Sequence, residues 1–94
     1  MDIPKHIYDS LDLIPVSERN RILHSLERLK TLENNPLLKD FNIAKLVGPN
    51  LYIYRGSARI YRIVFERKKG KIRITDIVHH DKIRLVLSKR RTSK

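Results

Sequence analysis

Four side chains in the second half of this 94-residue sequence could carry chemistry: Arg62, His79, His80 and Lys82. A guanidinium grips a pair of phosphate oxygens at once. Imidazole is the side chain whose ordinary titration falls near neutrality, which suits proton transfer without large tuning. Lys82 adds a point cation beside the histidine pair. Arg55 and Arg59 could hold neighbouring phosphates, and Tyr52 and Tyr54 offer ring faces on which bases could stack. Each also has an ordinary reading: solvated charge for the arginines and packing for one tyrosine and one histidine. His6 and His24 have no matching ligand spacing, and there is no HExxH pattern, cysteine pair, phosphate-binding glycine loop or pair of carboxylates. The sequence therefore predicts no metal site and no small-molecule cofactor.

The elements that must position these residues follow from the apolar pattern. Pro4 suits the first turn of a helix on which Ile7, Leu11 and Ile14 recur at spacings of four and three. Pro15 interrupts it, and Ser17, followed by Glu18, is placed to cap a second helix with Ile22, Leu23, Leu26, Leu29 and Leu32 on one stripe. Asn34, Asn35 and Pro36 end it. Three segments, LYIY at 51–54, IYRIVFE at 60–66 and KIRITDIVHH at 71–80, have the β-branched and aromatic content of strands. Gly56 with Ser57, and Lys69 with Gly70, mark the turns between them.

The expected fold is α+β, a helical hairpin over about 3–34 packed on a small antiparallel sheet over about 51–80, with a basic tail at about 85–94. Alternation sets Tyr61, Ile63 and Phe65 toward the helices and Arg62 on the opposite face. His79 and His80, being consecutive, are expected on opposite faces, so that only one shares the face of Arg62.

A chain of this length has room for a single domain, here taken as 1–94. It has no cysteine, which leaves no disulfide framework or thiolate site. No apolar run approaches the roughly 18 residues of a membrane span, and the start MDIPKHIYDS does not read as a signal peptide. A cytoplasmic protein with no membrane partner is expected. Its 21 Lys and Arg against 10 Asp and Glu give +11, and a pI of about 10.4 points to a polyanionic partner. Residues 1–50 carry seven bases and seven acids, whereas 51–94 carry fourteen bases against Glu66, Asp76 and Asp81. The whole excess thus lies in the half that holds the candidate site.

The order of these features resembles the RelE/ParE superfamily of toxins from bacterial and archaeal toxin–antitoxin pairs. The matching places are the helical hairpin, KLVG at 45–48, LYIYR at 51–55, IYRIVFE at 60–66, a basic turn, and VHHDKIR at 78–84. In the family these positions carry a K-L-x-G loop, a strand such as L-Y-R-x-R, a Y-R-I-x-Y strand and a final strand ending in H-R-x-x-V-Y. Two departures stand out. Family members usually open with a strand, and here only three residues precede Pro4. The aromatic residue that often closes the last motif is replaced by Arg84.

The resemblance implies the toxin of a type II toxin–antitoxin system, a RelE-like endoribonuclease that cuts messenger RNA on the ribosome by metal-independent attack of a 2′-hydroxyl. That reaction needs a base, an acid and cations for the developing phosphorane charge. Arg62 aligns with the best-matched arginine of the family and is the expected transition-state cation. His80, standing where the family has a basic residue, is preferred over His79 for proton transfer, with Lys82 beside it. Arg55, Arg59, Tyr52, Tyr54 and Arg84 would contact RNA. The implied partners are a cognate antitoxin, messenger RNA and the ribosome. The same resemblance admits a ParE-like inhibitor of DNA gyrase without nuclease chemistry, and charge alone admits a non-toxic RNA-binding protein.

Overall fold

The computed structural model describes residues 1–34, 43–45 and 50–83. Pro4, with φ −60° and ψ 156°, leads into helix α1, Lys5–Asp12. Ile7 and Leu11 form its buried face, and each contributes about 1.5–3 kcal/mol by leaving water. Helix α2, Val16–Asn34, follows Pro15. It starts one residue before Ser17, which therefore lies inside the first turn instead of capping it, and the Pro15 carbonyl accepts the Arg19 amide at 2.8 Å. Arg19 closes the hairpin. Its Nε donates to the Leu11 carbonyl at 2.9 Å, and its Nη2 donates to Ile14 at 3.1 Å and Asp12 at 3.4 Å, supplying donors where α1 has run out of its own.

Ile22, Leu26, Leu29 and Leu32 are buried on α2, but Leu23 is 39% exposed and Ser25 takes the inward place at 0%. The spacing explains the exchange, because positions three, four and seven after Ile22 share its face and the next residue does not.

Strands β1 (Ile43–Lys45), β2 (Leu51–Tyr54), β3 (Tyr61–Lys68) and β4 (Lys71–His79) form an antiparallel sheet in that order. The three strands expected from the sequence are present. The three-residue β1 adds a fourth, pairing Ile43 with Tyr54 and Lys45 with Tyr52. The chain is thus α+β, a helical hairpin on an antiparallel sheet. Lys69 at φ 51° and Gly70 at φ 80° make the tight turn between β3 and β4, a geometry with both central residues left-handed that matches strand twist.

The helices cover the face carrying Tyr54, Ile63, Phe65, Ile72 and Ile74, with Tyr52, Tyr61 and Ile77 at its margin. On the opposite face Arg62 and Glu66 flank Val64, which is 1% exposed.

No opening strand is expected from the sequence, yet the first residues do join the sheet. Asp2 makes a single parallel bridge to Arg73 on the outer edge of β4. Its amide donates to the Ile72 carbonyl and its carbonyl accepts the Ile74 amide, both at 2.9 Å. The Met1 ammonium donates to Glu33 Oε1 at 2.6 Å, while Glu33 Oε2 accepts the Ile72 amide at 2.6 Å. Glu33 thereby ties the chain start, α2 and β4 together. Its carboxyl is held below the usual range, chiefly by the ammonium and next by the Ile72 amide. No described helix is long and apolar enough to cross a membrane.

Candidate functional site

Arg62, His79, His80 and Lys82 stand at one end of the sheet, where β3 begins and β4 ends, and a bulge decides which faces the β4 residues take. Val64 pairs with Asp76 but Phe65 pairs with Ile74, so Thr75 is one residue too many on β4. Its Oγ1 turns back to donate to the Val64 carbonyl at 3.1 Å. Plain alternation from the inward Ile72 and Ile74 would have carried Asp76, Val78 and His80 inward. The extra residue reverses that parity. Ile77 and His79 now lie on the helix side, opposite Ile63 and Tyr61, whereas Val78 pairs with Arg62 on the other face. The edge of the His79 ring meets the Tyr61 ring at a centroid distance of 5.7 Å and 79°.

Arg62 therefore shares neither register nor face with His79. They lie one pairing step apart at the same sheet end, so a ligand that wraps this end meets both.

Arg62 is half-buried, and both of its hydrogen bonds come from Nη1, to the Tyr61 carbonyl at 2.8 Å and the Arg59 carbonyl at 3.3 Å. Its Nε and Nη2 edge has no hydrogen-bond partner among the described residues. Burial first, and the charge of Arg55 second, push this guanidinium below its ordinary value, although arginine stays charged at any working pH. An anion bound at the partly buried Arg62 would relieve both its desolvation and its repulsion from the exposed Arg55.

The loop that brings Arg55 and Arg59 here is fixed by Ser25. Its Oγ donates to the Arg21 carbonyl at 3.0 Å and accepts the Ser57 amide at 3.0 Å, with Ser57 Oγ 3.2 Å away. Gly56 sits at φ 56°. A side chain there would meet Ser25 Cβ and the Tyr54 ring at 2.8 Å, so the turn needs glycine on both counts. The sequence marks Gly56 and Ser57 as a turn; the buried serine that docks it was not signalled, because a lone Ser within a helix has no pattern of its own.

The histidine pair departs from the expectation of opposite faces. β4 stops at His79, a 3-10 turn takes over at His80–Lys82, and the two rings stack at a centroid distance of 4.7 Å and 24°. Asp81, not singled out from the sequence, sits against both rings. Its amide donates to His79 Nδ1 at 3.2 Å, so the neutral His79 ring carries its proton on Nε2. His80 Nδ1 lies 3.1 Å from Asp81 Oδ1, where a ring proton is attracted and a second lone pair would be repelled. That leaves Nε2 of His80 as the basic nitrogen. In their neutral forms His79 thus presents an Nε2–H hydrogen-bond donor and His80 an Nε2 acceptor. Lys82 is exposed in the same turn. Among the described residues these two imidazoles and the Asp81 carboxylate are also the donor set able to hold a metal ion.

Of the aromatic candidates, Tyr54 is 1% exposed and belongs to the core, which leaves no open ring face for a base. Tyr52 is half-buried and stacks on Phe65 at 5.5 Å and 18°. Arg84, the tail at 85–94 and 46–48 of the KLVG segment lie outside the described residues.

The fold can be set beside known proteins. No protein-family model matches this sequence, and no curated protein sequence matches it significantly. A solved structure does. A chain of the RelB–RelE antitoxin–toxin complex from Methanococcus jannaschii superposes with a TM-score of 0.69 at 23% identity, over 92% of this chain and 98% of that one. The two chains share their fold across nearly their whole lengths.

Proposed function

We propose that this protein is the toxin of a type II toxin–antitoxin pair, a RelE-like endoribonuclease that cleaves messenger RNA on the ribosome. The observation that carries the reading is the half-buried Arg62, which feels the charge of Arg55 and whose Nε and Nη2 edge has no hydrogen-bond partner among the described residues, at the sheet end that also holds His79 and His80. The fold shared with a chain of an antitoxin–toxin complex supports it, as does the order of motifs in the sequence.

In this reading RNA wraps the sheet end, with its scissile phosphate against Arg62. Nε2 of His80 takes the proton of the 2′-hydroxyl, whose oxygen then attacks the adjacent phosphorus. The guanidinium edge receives the extra charge of the phosphorane. The 5′-oxygen leaves with a proton from the Lys82 ammonium, or from His79 in its imidazolium form, whose Nδ1 proton would face Asp81 Oδ2 3.6 Å away. This gives a 2′,3′-cyclic phosphate and a 5′-hydroxyl. Arg55 and Arg59 hold flanking phosphates, and the half-buried Tyr52 is the tyrosine that remains available for base contact. A cognate antitoxin would silence the site by covering the same cations with carboxylates.

The separation of Arg62 and His79 onto opposite faces favours one competing reading, a gyrase-inhibiting protein that uses the cationic face for binding alone. Incubating the purified chain with ribosomes carrying a defined message, with chelator present, distinguishes the two. Cut ends bearing 2′,3′-cyclic phosphate are expected. Intact RNA together with lost DNA supercoiling would replace the nuclease by the gyrase reading.

A further inference from the structure

We infer that His79, His80 and Asp81 form a binding site for a divalent transition-metal ion of the zinc, nickel or copper class. The three ligand atoms lie within 4.8 Å of one another. Asp81 supplies one carboxylate oxygen 3.6 Å from His79 Nδ1 and the other 3.1 Å from His80 Nδ1. Ligands about 2.0–2.1 Å from a tetrahedral zinc stand about 3.3 Å apart. Each imidazole Nδ1 is already near that distance from one Asp81 oxygen, and the exposed Asp81 and the stacked rings need only side-chain rotation to bring two nitrogens and one oxygen onto the same ion. Nothing in the linear sequence shows this, because adjacent histidines on a strand diverge and only the 3-10 turn brings them together. Two imidazoles and one carboxylate suit zinc, nickel or copper. Magnesium prefers oxygen ligands, and Lys82 in the same turn opposes any ion held by charge alone.

Binding has a defined cost and a defined consequence. The Asp81 amide gives up His79 Nδ1 and turns to water, which it can do because Asp81 is exposed. On His80 the proton moves from Nδ1 to Nε2, so the neutral ring neither gains nor loses a proton overall, and its basic nitrogen is now capped by hydrogen. An ion here would therefore remove the base proposed above and inhibit cleavage. That consequence rests on the nuclease reading; the metal site does not.

The test is a titration of the purified full chain with zinc chloride, followed by the imidazole nitrogen and proton resonances of its histidines. Saturable one-to-one changes at His79 and His80, with a proton appearing on Nε2 of His80 and no response to magnesium chloride, are expected. His80→Ala and Asp81→Ala should weaken binding by at least the roughly tenfold that losing even an outer partner of a metal site costs, while His6→Ala leaves it unchanged. Changes shared evenly by all four histidines, or equal affinity in His80→Ala, would overturn the site, and the resonances of the unsubstituted chain decide the matter even if a variant fails to fold. Zinc that binds at His79 and His80 without slowing RNA cleavage would refute the inhibitory consequence. Zinc binding by a chain that cuts no RNA would leave the site and remove the nuclease.

Discussion

At the residue scale the account stands on Arg62 and on the tautomers imposed by Asp81. Arg62→Ala should lower RNA cleavage by about 10²–10³-fold, the usual loss when one donor to a developing oxyanion is removed. Arg62→Lys keeps the charge but cannot offer a forked edge, so it should recover only part of that loss, as single-turnover rates would show. Tyr54→Ala should cost about 3–5 kcal/mol of stability, as for other large buried rings, with RNA affinity per folded molecule unchanged; denaturant unfolding beside a binding isotherm separates the two. The residue types of this site were legible in the sequence because arginine and histidine announce their chemistry. The face of Arg62 was legible too, from alternation along β3, but those of the histidines were not, since Thr75 reverses the alternation of β4 and nothing in the string KIRITDIVHH marks a bulge. Asp81 gives no signal in the sequence because its role depends on a turn that begins only where the strand ends.

At the scale of elements, the basic loop is held by contact with a helix far away in sequence. Gly56→Ala should destabilise the chain by about 1–3 kcal/mol, through a strained left-handed backbone and overlap with Ser25. It should also weaken RNA binding by displacing Arg55 and Arg59, a coupling that thermal unfolding and affinity measured on one sample would reveal. Lys69, at φ 51°, sits where asparagine is at ease. Lys69→Asn should therefore stabilise the hairpin by about 0.5–1 kcal/mol, and an unchanged or lowered unfolding midpoint would contradict that. The helices and the three longer strands were readable from apolar period and turn residues, which are local signals. The short β1 and the Asp2 bridge were not, because one to three residues pair only when a neighbouring strand already exists to receive them.

At the scale of the whole molecule, the described residues place basic clusters at both ends of β3, one around Arg62 and one at the β3–β4 turn. The tip at Lys68, Lys69 and Lys71 lies at the far end of β3 from Arg62, about 20 Å away at the usual rise per strand residue. It should add salt-sensitive attraction for RNA without chemistry, so neutralising it should weaken binding to all sequences alike and flatten the salt dependence. Glu33 governs how the fold responds to acid. Its folded carboxyl titrates below its unfolded value, so its stabilisation is complete above the unfolded value and fades as pH falls through the folded one. Glu33→Gln should accordingly lose less stability than the parent on acidification, as unfolding midpoints across pH would show.

The central claim, that Arg62 serves a ribosome-linked nuclease, is tested most directly by inducing the parent chain and Arg62→Ala in cells without an antitoxin while mapping messenger RNA 5′ ends. Growth arrest with new in-frame ends that vanish in Arg62→Ala is the predicted result. Arrest with intact messages, or the same ends in both strains, would contradict it.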